Sequence, residues 1–331
     1  MKFAIYGAGA VGSFLGARLL EAGHRVHFIA RGTTLAALRS QGLRVQSKLF
    51  GDKRYRVDAT DAPSEVGPVD YVLLCVKAGA LEQIAPLTGP LRNSTTAFVS
   101  TQNGLPWWYF HGVRGEEGAI RAVDPDGVIS RHIPAPHVIG SIVYFSCSIA
   151  GPGEVRHSTG ARLPLGEPAG GRTDRILGLS AALRSAGVKA PVRNDIRHEL
   201  WVKLLGNAAL NPLSALTRKT LADLIDSRHG RRLIEAMMDE VREVAAAVGV
   251  RIAISNARRI AGARAAGAHR TSMLQDLDRG RQPEMEALLG AVIELAERNH
   301  VAVPVLSTID SATRVLFQDP SRSMVQDRKR H

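Results

Sequence analysis

The stretch Lys2–Gly12 reads KFAIYGAGAVG, and its continuation to Ala30 decides the fold of the first half of the chain. Lys2–Tyr6 is a short apolar strand. It runs into Gly7-Ala8-Gly9-Ala10-Val11-Gly12, a G-x-G-x-x-G, and an amphipathic helix follows from Val11 to about Ala22, ending at Gly23. Arg25–Ala30 (RVHFIA) is a second strand. Strand, glycine turn, helix and strand within about 30 residues is the context in which this motif binds a dinucleotide. Gly7 permits the tight turn, Gly9 lets backbone N–H groups approach a pyrophosphate, and Gly12 lets helix and strand pack closely.

The end of the second strand selects between the two nicotinamide dinucleotides. A ribose 2′-hydroxyl calls for an acidic residue, but Arg25 to Gly51 contains no Asp or Glu and offers Arg31, 19 residues past Gly12. A guanidinium suits a 2′-phosphate, so NADP(H) is expected over NAD(H). The plainer alternative for Arg31 is a solvated loop charge.

Further strands are expected at Leu43–Gln46, Tyr71–Val76 and Ala97–Ser100. The run YVLLCV lacks polar alternation, as a parallel strand buried on both faces should. Lys77 stands at its carboxyl end, and Gln102-Asn103-Gly104 follows the next strand. Ligands of open α/β sheets bind outside the carboxyl ends of the strands, which puts Lys77 and Asn103 near the nicotinamide half of a dinucleotide. The cluster Pro106-Trp107-Trp108-Tyr109-Phe110 either walls a pocket or, the favoured reading, anchors its loop in the core. Val138–Ser148 and Glu154–Glu167 read as strands that extend the domain with antiparallel pieces, with His157 serving packing. Thr173–Ala186 reads as a helix and Lys189–Val192 as a last short strand.

From about Asp195 the pattern turns helical, with amphipathic stretches at Asp195–Leu210, Gly230–Ala247, Ala253–Ala266, Glu284–Asn299 and near Ser307–Phe317. The expected organisation is therefore an α/β Rossmann-type domain over 1–194 and an all-α domain over 195–331. In the first helix, WVKLLGNAALN (201–211), Lys203, Asn207 and Asn211 are spaced four apart. Each step of four turns a helix by roughly 40° and rises about 6 Å, so one ammonium and two amides share a stripe. The surrounding residues are Leu, Ala, Val and Trp, and polar groups among them are costly unless something polar meets them. Pro212 is expected to interrupt the helix directly after Asn211. A second polar cluster, Thr271–Asp276, is followed by Gly280 and Pro283-Glu284. Pro283 suits the first position of a new helix and Glu284 its first turn.

The 331 residues carry 45% hydrophobic side chains, enough for sizeable cores in two domains. No run of about 18 apolar residues marks a membrane span, and no signal-peptide layout opens the chain. The two cysteines, Cys75 and Cys147, read as reduced core residues of a cytoplasmic protein without metal-ligand spacing. The net charge of +12 favours anionic partners, yet no nucleic-acid motif accompanies it, and Arg328–His331 reads as a short basic tail. Partners are thus expected to be small molecules, with neither nucleic acid nor membrane.

Taken together, the N-terminal GAGAVGS, the strand-end VKA, the QNG loop, the LWVKLLGNAALNPL helix and SMLQD followed by an E-M-E turn resemble the ketopantoate reductase (2-dehydropantoate 2-reductase) family. They occur in that family's order over nearly the whole chain. The resemblance implies a Rossmann domain followed by a helical one, with the active site in the cleft. It implies that Lys203 is the catalytic acid for reduction of a 2-oxo acid by NADPH. It implies that Asn207, Asn211 and Ser272 hold substrate, that Glu284 orients Lys203 and contacts the nicotinamide ribose, and that Lys77 and Asn103 contact the cofactor near the reacting carbon, Asn103 also touching substrate. A homodimer through the helical domain and a place in pantothenate biosynthesis come from the same resemblance.

The chain departs from the family at Leu221 and Leu289, where relatives carry Asn, and in the Trp107-Trp108 cluster, which leaves the reaction type standing and the particular 2-oxo acid open. The nearest rival is a sibling reductase of another 2-oxo acid, then a β-hydroxyacid dehydrogenase. Outside enzymes, the rivals are an NADPH-binding sensor and a basic nucleic-acid-associated protein.

Overall fold

The computed structural model describes residues 1–115 and 118–318. The basic tail at 328–331 lies outside the described residues. The chain divides into two compact units. The first comprises Met1–Gln102, Pro106–Ala119 and Asp124–Ile196; the second takes Asn103–Leu105, Ile120–Val123 and the chain from Arg197 onward.

In the first unit, β1 (Lys2–Tyr6), β6 (Tyr71–Leu74) and β7 (Ala97–Ser100) are buried almost throughout. Strands of that kind need cover on both faces. With β2 (Arg25–Ile29), β5 (Asp58–Thr60), β8 (Val138–Ser141) and β11 (Leu165–Gly166) they form a sheet in the order β11-β8-β7-β6-β1-β2-β5. Every pairing in it is parallel except β11 with β8. A second sheet has the order β4-β3-β10-β9, built from β3 (Leu43–Ser47), β4 (Gly51–Tyr55), β9 (Tyr144–Gly151) and β10 (Glu154–Arg162).

The long strands expected at 138–148 and 154–167 are each divided between the two sheets. The break in the first falls at Ile142–Val143, where the Ile142 N–H leaves the ladder for the Pro164 carbonyl at 3.0 Å. The strand expected at Lys189–Val192 is reduced to two isolated bridges, Arg162 to Lys189 and Leu165 to Val192. Pro191 lies between them and has no N–H to give a continuous ladder.

Helix α1 (Ala10–Glu21) fills the space between the two sheets, with Gly12 to Leu19 all buried. His157 of β10 stacks on Phe14 of α1 at 4.3 Å. Its ring nitrogens meet Ser47 Oγ at 2.8 Å and the Gly160 carbonyl at 2.5 Å. The ring is a packing element, as the sequence suggested. Helix α2 (Gly32–Gln41), the short α3 (Pro63–Val66), α4 (Leu81–Ile84) and α5 (Val128–His132), and α6 (Asp174–Ser185) complete the unit. Trp107 and Trp108 are buried and tie their loop down through bonds to the Ile133 carbonyl (3.0 Å) and Ser100 Oγ (2.9 Å). The aromatic run therefore anchors a loop.

The second unit is helical: α7 (Ile196–Thr217, all but its first residue), α8 (Leu221–Asp226), α9 (Arg228–Ala247), α10 (Asn256–Arg264), α11 (Ser272–Asp278), a π turn over Glu286–Gly290 leading into α12 (Ala291–Arg298), and α13 (Pro304–Gln318). Two expectations are corrected here. Helix α7 does not end at Pro212; it runs through it to Thr217. Asn211, Pro212, Leu213, Ser214 and Ala215 are all buried, and that packing outweighs the roughly 3 kcal/mol a helical proline costs. Pro283 does not open the last helical segment either: Pro283 and Glu284 precede it, and the first i to i+4 bond runs from the Leu288 N–H to the Glu284 carbonyl at 3.1 Å.

Trp201 on α7 is fully buried. Trp201→Ala should lower the free energy of unfolding by about 3–5 kcal/mol, measured by urea denaturation. A loss below about 1 kcal/mol would show that α7 is not the packing centre of the second unit.

Candidate active site

In the first unit the sheet order reverses between β1 and β6, the switch point at which open α/β sheets bind ligands. The glycine turn 7–12 occupies the carboxyl end of β1. Gly7 has φ +103°, and a side chain there would strike Val76 and Cys75. A β-carbon on Gly12 would collide with the Gly7 carbonyl, Cys75 and Ile5. Gly9 differs: its β-carbon would meet only the Cys75 carbonyl, at 3.9 Å. Gly9 also precedes the first turn of α1, which has no side-chain cap and no acidic residue. Open space over Gly9 in front of uncapped N–H groups from Ala10, Val11 and Gly12 fits a pyrophosphate. Ala8, beside it, is buried.

Arg31 is exposed and caps the N-terminus of α2, which also has no side-chain cap and no acidic first-turn residue. Burial pushes the Tyr6 phenol at the end of β1 upward, and the charge of Arg31 opposes that shift. The guanidinium thus acts at the strand end that begins the glycine turn. Lys77 is exposed just past β6. Beside it, Gln102 donates its amide N–H groups to the Leu74 and Val76 carbonyls at 2.7 and 2.9 Å. Its Oε1 is buried without a partner among the described residues. That orphaned acceptor at the carboxyl ends of β6 and β7 fits a bound polar group. The sequence had pointed to Asn103 in this loop and had not singled out Gln102.

In the second unit, Lys203, Asn207 and Asn211 do share one stripe of α7; the first two are half-buried and Asn211 is buried. Lys203 Nζ donates to Asn103 Oδ1 at 2.7 Å, and Asn103 Nδ2 donates to Glu284 Oε2 at 2.9 Å. Residues 100 and 181 positions apart are joined in one chain of bonds. Because a carboxylate only accepts, Glu284 draws the amide nitrogen of Asn103 and turns its oxygen to Lys203. Burial pulls Lys203 down to about 8, the charge of Arg259 lowers it further, and the charge of Glu284 opposes both.

The loop holding Asn103 is fixed from behind. The Ala291 N–H reaches back five residues to the Glu286 carbonyl in the π turn. The Ala287 carbonyl, which an α-helix would have paired with that N–H, accepts instead from the Leu105 N–H at 2.8 Å. Gly104, at φ +87°, lies so close that a β-carbon would overlap the backbone of Ala287. Ser272 stands apart from this bonded group, exposed in the first turn of α11, whose cap is the neighbouring Thr271.

A strand-end glycine turn together with a buried ammonium held by an amide and a carboxylate can bind a dinucleotide and deliver a proton. Comparison with known proteins specifies the reading. The model for "Ketopantoate reductase PanE/ApbA" matches residues 3–170, and that for "Ketopantoate reductase PanE/ApbA C terminal" matches 195–316. The chain belongs to the ketopantoate reductase family. A 2-dehydropantoate 2-reductase from Mesorhizobium japonicum is 44% identical over 324 residues, covering 96% of this chain and 98% of that protein. One from Archaeoglobus fulgidus is 30% identical over 94% of this chain and 96% of its own. The crystal structure of 2-dehydropantoate 2-reductase from Geobacter metallireducens superimposes with a TM-score of 0.84 at 29% identity, covering 95% of this chain and 99% of that one. The α/β domain followed by a helical domain is the fold this ketopantoate reductase family member shares with them. Among the described residues no helix is long and apolar enough to cross a membrane.

The two kinds of glycine in the turn should separate binding from folding. Gly9→Val should abolish dinucleotide affinity, read by fluorescence titration, with the circular dichroism spectrum and melting temperature unchanged. Gly12→Val should lower the melting temperature itself. Equal effects of the two on stability would mean that Gly9 serves only the backbone.

Proposed function

We propose that the protein reduces 2-dehydropantoate (ketopantoate) to pantoate with NADPH, Lys203 acting as the general acid. The observation that carries this is the Lys203–Asn103–Glu284 chain of bonds, with the lysine poised at about 8. Membership of the family, and relatives along whose whole length the chain extends, supply the reaction.

A bound nicotinamide supplies the hydride that adds to the 2-oxo carbon. The chain's own task is to stabilise the negative charge that develops on the carbonyl oxygen. The Lys203 ammonium does so through a hydrogen bond, then breaks one N–H and transfers that proton to the alkoxide. The lysine is left as a neutral amine and takes a proton from solvent before the next turnover. Desolvation makes the proton easier to give, while Glu284, acting through Asn103 and by its charge, keeps the lysine protonated near neutrality. Asn207 and Asn211, further along the same stripe, are proposed to hold the substrate's oxygen atoms, with Ser272 at its carboxylate. Gly7–Gly12 would cradle the pyrophosphate and Arg31 the 2′-phosphate, with Lys77 and Glu284 toward the nicotinamide ribose.

Reduction of another 2-oxo acid by the same chemistry is the second reading, favoured by Leu221, an apolar side chain 8% exposed at the start of α8. Leu289 is fully buried, which places that departure in the core. Steady-state NADPH oxidation over a panel of 2-oxo acids separates the two readings, with ketopantoate expected to be best.

Lys203→Ala should reduce kcat by about 10²–10⁴ while leaving NADPH binding nearly unchanged. A variant with near-normal turnover would refute the mechanism. The ammonium is the donating form, so kcat/KM for reduction should fall about tenfold per unit above the lysine's pKa, a break expected at about 8. The oxidation direction needs the neutral amine and should rise through the same range. Arg31→Asp should erase or reverse the preference for NADPH over NADH. Equal affinity of the unaltered protein for both would contradict the assignment of Arg31.

A further inference from the structure

Gly206 lies three residues beyond Lys203 and one before Asn207, on the face of α7 that carries the polar stripe. A β-carbon at Gly206 would overlap Nη2, Cζ and Nε of Arg259. The guanidinium of Arg259 therefore lies flat against the α7 backbone, in space that only a missing side chain leaves open. We propose that Arg259 is a specificity-determining residue that holds the carboxylate of the 2-oxo acid substrate, admitted to the Lys203 face of α7 by Gly206.

Three observations support this assignment, which rests on the function proposed above. First, Arg259 is mounted on a rigid element. It occupies the first turn of α10, its N–H bonded to the Ser255 carbonyl at 3.0 Å. Arg242 of α9 clamps the segment before that turn, binding Asn256 Oδ1 and the Ile252 carbonyl, each at 2.7 Å, and the Ile254 carbonyl. Asn256 in turn donates to Asp239 at 2.6 Å. Second, Arg259 acts on the reacting group: its positive charge lowers Lys203, which places the guanidinium within electrostatic reach of the ammonium. Third, the charges need an anion. Lys203 and Arg259 oppose one carboxylate, Glu284, leaving an excess of one positive charge in a partly desolvated setting. One substrate carboxylate neutralises it. A guanidinium presents a planar fork of donors that matches a carboxylate with two parallel bonds, while Lys203 remains directed at the adjacent carbonyl oxygen.

Calorimetric binding of ketopantoate and of its uncharged methyl ester, each in the presence of NADP⁺, tests the proposal alongside steady-state kinetics with the acid. Arg259→Gln should raise Kd and KM for the acid by about 10- to 100-fold and leave Kd for the ester within about twofold. Arg259→Lys should fall between, since it keeps the charge and loses the fork. Gly206→Ala provides a second variant that folds, because alanine is the better helix former and the colliding group is the mobile end of a side chain. It should push the guanidinium aside and reproduce the weakened binding of the acid without lowering the melting temperature. If Arg259→Gln weakens acid and ester alike, or neither, Arg259 only packs against α7 and the proposal is overturned. If the unaltered protein binds the acid in an Arg259-dependent way yet reduces no 2-oxo acid, the assignment of Arg259 stands and the proposed function fails.

Discussion

An ammonium removed from water must find an acceptor, and the 2.7 Å bond from Lys203 to the Asn103 side-chain oxygen meets that requirement in the helical unit. Much of the neighbouring geometry follows from it. Asn103 can present its oxygen only if its nitrogen is engaged elsewhere, which Glu284 ensures. The loop can hold Asn103 still only if its backbone is anchored, which the Ala287 carbonyl ensures. That carbonyl is available because the helix widens into a π turn at that point. A local irregularity in one helix thus positions a side chain that arrives from the far end of the sequence.

The charges around Lys203 are set against one another. Burial and the Arg259 guanidinium favour the neutral amine, and Glu284 favours the ammonium. A lysine paired directly with a carboxylate would keep its proton too firmly to be a good acid, and one buried without any carboxylate would lose it before reaction. Interposing an amide between the two gives Lys203 an acceptor while softening the attraction of the carboxylate.

The sheet unit shows a different economy. Gly7 and Gly12 are required by the fold, since any side chain there meets backbone or core. Gly9 is not, and the space it leaves faces the uncapped start of α1. One six-residue motif therefore contains both structural and ligand-facing glycines, and its spacing alone does not tell them apart.

Local pattern by itself determined the α/β unit with its glycine turn, the change to helices near residue 195, and the alignment of Lys203, Asn207 and Asn211. Each depends on periodicity or on residue types within a few positions, which short-range sterics and burial dictate. It misjudged Pro212 and Pro283, because a proline's local preference is a few kcal/mol and surrounding packing can exceed it. It divided neither long strand between two sheets, since alternation does not say which sheet a strand joins. The bond from Lys203 to Asn103, the π turn that frees Ala287, the buried acceptor of Gln102 and the approach of Arg259 to Gly206 belong to the tertiary structure alone. Each unites residues far apart in the chain, and only folding decides which distant polar groups must satisfy one another once water has left.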